Sequence, residues 1–302
     1  MLRETTWRAP AETATVGWAT LAPNERSVSV GWVRNYIMVA NQQLVFIHGM
    51  YMNGHSWAPW VARAQARGYT CHAPSWPHHD GEPAALRDHI DPALGTLTFG
   101  AVTDHLKAFI DALPQRPALI GHSIGGLAVQ KLVNDGYATA GVAISPAPPR
   151  GVFTLDPHFF RANFPHANPL AGNKPVIMTR ERFRYTFCNT MSTQASDTAF
   201  ADYVVPESRN VPRSTLTRQA LIDFGKTHVP LLLIGGDHDH LTPLSMVKKN
   251  AAAYKKSGGV VDFQEFAGRS HFICNQDGWE QIADFALDWL TERSEVKARA
   301  AG

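Results

Sequence analysis

Short apolar runs alternate with amphipathic segments along most of the chain. Two period-two runs near the start, Thr15–Leu21 and Ser27–Val33, predict a hairpin turning at Ala22-Pro23-Asn24-Glu25. Leu44-Val45-Phe46-Ile47 is apolar at every position, as a strand covered on both faces must be, and it runs straight into His48-Gly49. Trp57–Arg67 has helical spacing and stops at Gly68, and Tyr69–Ala73 predicts a short strand closed by Pro74. The alternation continues with a helix over Val102–Leu113, a strand at Ala118–Gly121 and a helix over Ile124–Val133. Strands follow at Gly141–Ser145, Leu231–Gly235 and Val260–Phe266. A final helix spans Trp279–Leu290, with a polar, frayed tail expected from Arg293.

Buried strands alternating with helices predict an α/β protein, with a mostly parallel central sheet covered by helices on both faces. The alternation breaks once, between Pro146 and Val229. That stretch carries nine of the 20 prolines and eight of the 15 phenylalanines and no apolar strand. It is too long for a loop and reads as a mainly helical insertion over one end of the sheet. The expected organisation is therefore a core of residues 1–145 and 230–302 with a cap, or lid, at 146–229.

The strongest chemical signal is Gly121-His122-Ser123-Ile124-Gly125-Gly126. A G-x-S-x-G match is common by chance, but here a strand precedes it and a helix follows directly. A serine on such a turn has a strained backbone that small neighbours must accommodate, and the helix N-terminus favours negative charge nearby. A serine hydroxyl needs a base to remove its proton, and that base is oriented best by a buried carboxylate. Of 14 histidines, His271 sits in the loop after the last strand, at the sheet end that carries Ser123. His48 and His122 belong to strand ends and suit shaping the site. The acid lies in Gly235-Gly236-Asp237-His238-Asp239-His240-Leu241-Thr242-Pro243, where Asp239 is favoured and Asp237 is its rival. The other strand end that could offer an acid, Ile144-Ser145-Pro146, has no carboxylate.

The order Ser123, Asp239, His271, with His48-Gly49 after an early strand, resembles the α/β-hydrolase superfamily and its capped serine esterases and lipases. The resemblance runs from about Leu44 to Leu290. It implies Ser123 as nucleophile, His271 as general base and acid, and Asp239 as orienting carboxylate. It also implies an oxyanion hole made of the backbone N–H groups of Met50 and Ile124. The expected reaction is hydrolysis of small to medium apolar carboxylic esters through an acyl-enzyme, with no cofactor. Lactones, thioesters and C–C bonds are the alternatives for the same residues. Serine at this position argues against the dehalogenases and epoxide hydrolases of the superfamily. Tyr51, Trp57 and His122 are the expected pocket residues, beside aromatics of the cap.

Composition narrows the partners. Lys plus Arg is 28 against 26 for Asp plus Glu, a net charge of +2, so nucleic acid and anionic membrane are not expected. An uncharged small-molecule ester fits better. The three scattered cysteines argue against a disulfide framework, and Cys274, though near His271, reads as a small buried residue. Met1–Pro10 lacks the apolar run of a secretory signal, so the expected location is the cytoplasm. His78-His79-Asp80 and Asp237–His240 are rich in metal-ligand types but match no established ligand spacing, and no metal is expected. A non-enzymatic or slow-turnover ligand-binding protein on the same fold is the reading of another class.

Overall fold

The computed structural model describes residues 42–167 and 172–301, so the expected N-terminal hairpin lies outside the described residues. Among these, six strands form one sheet: β1 (Gln43–Ile47), β2 (Thr70–His72), β3 (Ala118–His122), β4 (Ala140–Ile144), β5 (Leu231–Gly236) and β6 (Val261–Phe266). Their spatial order is β2-β1-β3-β4-β5-β6, and every pairing is parallel. In β1 the side chains alternate between two apolar layers, Leu44 and Phe46 in one, Val45 and Ile47 in the other. β5 divides in the same way, Leu231 and Leu233 against Leu232 and Ile234. This double burial is why these two strands read as continuous apolar runs.

Helix α1 (Ala58–Gln65) follows β1, α2 (Pro83–Asp88) and α3 (Phe99–Asp111) follow β2, and α4 (Ile124–Asn134) follows β3. Among the described residues between β4 and β5 lie four α-helices, α5 (Pro157–Ala167), α6 (Arg180–Thr186), α7 (Thr193–Tyr203) and α8 (Asn210–Ser214). Thr179 and Ser192 cap α6 and α7 by accepting from Arg182 N and Ala195 N. Among the described residues of this insertion, the one pairing of strand type is an isolated antiparallel bridge, Val176 with Glu207. Helix α9 (Leu244–Ala253) joins β5 to β6, and α10 (Trp279–Ala301) closes the chain. One layer packs Trp60 of α1 with Ile282 and Leu287 of α10, and the other packs α3 and α4 with the insertion.

The expected frayed tail is instead the last part of α10, which runs to Ala301. The segment Thr291–Ala301 contains Glu, Arg, Lys and Ala and no Gly or Pro, so propensity continues the helix where the apolar periodicity of the sequence ends. Among the described residues no helix is long and apolar enough to cross a membrane.

Candidate active site

Ser123 occupies the single residue between β3 and α4 with φ 56° and ψ −120°. A non-glycine residue here is strained by its Cβ, and only close packing holds it. Gly121 and Gly125 make that packing possible. A Cβ on Gly121 would stand 2.3 Å from the Gly125 oxygen, and one on Gly125 would stand 2.2 Å from the Ile47 oxygen. The Ser123 N–H donates to Ile144 O at 3.0 Å, and its carbonyl accepts from Ala147 N at 2.9 Å and Leu127 N at 3.0 Å. The turn is thereby fixed to β4 and to α4.

The three residues singled out from the sequence come together at the carboxyl end of the sheet. Ser123 Oγ lies 2.9 Å from His271 Nε2, and His271 Nδ1 lies 2.7 Å from Asp239 Oδ2. An ionised carboxylate only accepts, so Nδ1 carries the ring proton and Nε2 is left to accept from the serine hydroxyl. All three side chains are buried. Asp239 Oδ1 accepts from Leu241 N at 2.8 Å and Thr242 N at 2.7 Å, and Thr242 Oγ1 is 2.8 Å from Oδ2. Burial alone would raise the Asp239 pKa. The neighbouring His271 and these hydrogen bonds outweigh it and hold the carboxyl below its usual range. Asp237 points elsewhere: its Oδ1 accepts from His238 Nδ1 at 2.7 Å and Arg269 N at 3.3 Å.

The His271 ring is enclosed by Phe187 from the insertion, at 4.9 Å between centroids, and by His122, at 4.6 Å. Nothing in the local sequence singles out Phe187, because the contact joins two segments far apart in the chain. His122 Nε2 donates to His271 O at 2.8 Å. Burial, and then the adjacent His271, push its pKa from 6.5 down to about 3. His122 is therefore neutral beside His271 and does not oppose a positive charge there. Trp60 Nε1 donates to Cys274 O at 2.8 Å, tying the loop after His271 to α1.

A cavity of about 450 Å³ opens at Ser123. Met50, Tyr51, Ile124 and Leu241 line it from the core, and Phe153, Phe159, Phe160, Met178 and Leu216 line it from the insertion. Its lining is mainly apolar, and Phe153, Phe160 and Leu216 are exposed. Of the expected pocket residues, Tyr51 borders this cavity, whereas Trp57 and His122 do not. They border a void of about 10 Å³ behind the strand ends, and Trp57 packs on Phe46 with centroids 5.2 Å apart. Nearness to Ser123 in the fold did not determine which way these rings turn.

Among the described residues, no group of three or more His, Cys, Asp or Glu side chains is arranged to hold a metal ion. His78 pairs with Asp91, His79 with Glu207, and His240 Nδ1 with Tyr185 O. Cys274 is buried, which raises its pKa well above the ordinary thiol value.

The profile of a family described as "Alpha/beta hydrolase family" matches residues 44–285. Several solved structures are similar. A monoacylglycerol lipase from Paleococcus ferrophilus is 19% identical, with a TM-score of 0.62, over 84% of this chain and 96% of that one. Polyneuridine aldehyde esterase is 14% identical, with a TM-score of 0.60, over 82% of this chain and 98% of that one. Tomato methylketone synthase I, solved with 2-tridecanone, is 16% identical, with a TM-score of 0.61, over 84% and 99%. At such identities the likeness establishes the fold alone. No curated protein sequence matches the chain.

Proposed function

The chain belongs to the alpha/beta hydrolase family, and on that premise we propose that it is a serine hydrolase cleaving carboxylic esters of small to medium apolar substrates. The observation that carries this reading is the Ser123–His271–Asp239 hydrogen-bond chain at the floor of an apolar cavity. An ester carbonyl seated over Ser123 is attacked by Oγ as His271 Nε2 takes the hydroxyl proton. Asp239 keeps Nδ1 protonated and stabilises the imidazolium that forms. The N–H groups of Met50 and Ile124 are assigned to the oxyanion, where each donor contributes roughly 3–4 kcal/mol to the transition state. His271 returns the proton to the departing alcohol. It then activates a water that releases the acid and regenerates Ser123.

Residues 146–229 act in this reading as the cap that bounds the acyl site. No cofactor takes part, and the three free cysteines suit a cytoplasmic setting. A panel of chromogenic esters of graded acyl length, with Ser123→Ala as control, tests the assignment. Wild-type turnover with short and medium esters, lost in a folded Ser123→Ala protein, is the expected result. Undiminished turnover in that variant overturns it.

A further inference from the structure

Glu207 and His79 lie on segments that carry no motif, yet both side chains are completely buried, with His79 Nε2 3.3 Å from Glu207 Oε2. His79 Nδ1 is 3.1 Å from Pro77 O. A carboxylate and a carbonyl can only accept, so both ring nitrogens carry protons and His79 is an imidazolium. Burial alone would strip that charge; the adjoining Glu207 carboxylate reverses the effect and raises the pKa. A buried pair of this kind is a poor source of net stability, because desolvation opposes the attraction. Its value has to be sought in what it holds.

What it holds is the backbone of Tyr51, the residue after Met50. Tyr51 has φ 63°, an unfavourable conformation for an aromatic residue. Its N–H donates to Glu207 Oε2 at 3.2 Å, and its carbonyl accepts from Val205 N at 3.0 Å. Glu207 is itself fixed. Its Oε1 accepts from Ser208 N at 2.6 Å, and its main chain exchanges hydrogen bonds of 2.8 and 2.9 Å with Val176. On the other side, Asn53 Nδ2 donates to His79 O at 3.1 Å and to Gly81 O at 2.8 Å. The loop after β1 is thus gripped at Tyr51 by the insertion and at Asn53 by the His79 segment.

We propose that the Glu207–His79 pair positions the oxyanion loop, so that a carboxylate of the cap sets the direction of the Met50 N–H on which hydrolysis at Ser123 depends. Glu207 and His79 are positioning residues, acting through Tyr51 without touching substrate. The counter-charge has its own reason. A lone carboxylate behind the loop would repel the developing oxyanion, and His79 cancels it. The inference rests on the serine-hydrolase reading above.

The test compares Glu207→Gln, Glu207→Leu, His79→Gln and the double variant Glu207→Gln/His79→Gln in the 302-residue chain. Ester turnover is read together with inhibition by a phenylboronic acid, whose serine adduct carries an anionic oxygen. Glu207→Leu is expected to lower kcat by about 10- to 100-fold with KM little changed, and to weaken boronate inhibition by a similar factor. Glu207→Gln, which keeps an acceptor for Tyr51 N, should recover part of both losses. The double variant should be no worse than His79→Gln, since the two residues act as a unit. Folded variants with reduced thermal stability but unchanged kcat and boronate affinity would overturn the proposal. Should Glu207→Leu not fold, the same comparison is read from Glu207→Gln and His79→Gln. Ester turnover surviving in Ser123→Ala would instead remove the serine-hydrolase reading, a separate outcome.

Discussion

Replacing Asp239 by asparagine is the sharpest perturbation of the site, because it exchanges one oxygen for an amide nitrogen and leaves the shape intact. The two backbone donors, Leu241 N and Thr242 N, both address Oδ1, so the amide oxygen of the new side chain must remain there. The amide nitrogen then takes the place of Oδ2, facing Thr242 Oγ1 and His271 Nδ1. The hydroxyl adapts, since it can donate to Ser145 O, 3.1 Å away. The imidazole cannot keep its tautomer: Nδ1 must now accept, which moves the ring proton to Nε2, opposite the serine hydroxyl. His271 in that form cannot take the proton of Ser123. A tautomer fault of this type lowers kcat about 10⁴-fold, or about 5 kcal/mol of transition-state stabilisation. Stability should change by less than about 2 kcal/mol, because the buried polar atoms keep partners. The control is Asp237→Asn, whose partly exposed pair with His238 is worth at most about 1 kcal/mol and touches no reacting group. Initial rates on a chromogenic ester, with folding checked by circular dichroism and thermal midpoint, give the answer. A folded Asp239→Asn protein retaining more than about a tenth of the activity would refute this tautomer mechanism, as would greater damage from Asp237→Asn.

Ser123→Ala should abolish labelling by a fluorophosphonate and reduce turnover by roughly three or more orders of magnitude, read by gel fluorescence and by rate. Gly125→Ala places a methyl 2.2 Å from the Ile47 oxygen and should destabilise the fold by about 1–3 kcal/mol or more in urea titration. The folded pKa of His122, about 3, lies below its ordinary 6.5, so protonation favours the unfolded chain. The stability it contributes is complete above pH 6.5 and declines as the pH falls toward 3. By about pH 4 the loss should reach up to about 3 kcal/mol, and His122→Asn should flatten that part of the urea-midpoint profile; an unchanged profile contradicts the assignment. Ala147→Leu fills cavity space beside Ser123 and should reduce kcat/KM for the longer acyl esters more than for acetate, an ordering the ester panel measures directly.

The four inner strands were legible because both layers of the sheet demand apolar side chains there, which leaves runs such as Leu231–Ile234. The serine turn was legible because its geometry requires small neighbours at fixed offsets. Choosing between Asp237 and Asp239 was harder, since both follow the same strand and differ only in which way a short turn directs them. The directions of Trp57 and His122 were hidden for a similar reason: a ring at a strand end can face the cavity or the sheet. The Glu207–His79 contact spans 128 residues and belongs to no pattern, so only the folded chain brings it to view. The continuation of α10 was missed because its sequence carries no regular apolar stripe and the helix there depends on propensity.

The order of the strands also sets when the site can exist. Ser123 directly follows β3, in the middle of the described sheet, whereas Asp239 follows β5 and His271 follows β6, which among the described residues is paired on one side only, with β5. A growing chain that has folded through β4 presents the serine on its strained turn with neither partner. The whole insertion emerges before either of them does. On the proposed mechanism the hydroxyl has only ordinary reactivity during most of synthesis and is expected to become a nucleophile when the last strand docks. The same dependence persists afterwards. If His271 is the base as proposed, an event that peels β6 from the sheet, such as local fraying, proteolytic nicking or early thermal unfolding, withdraws it first, and ester turnover is expected to disappear before the central strands open.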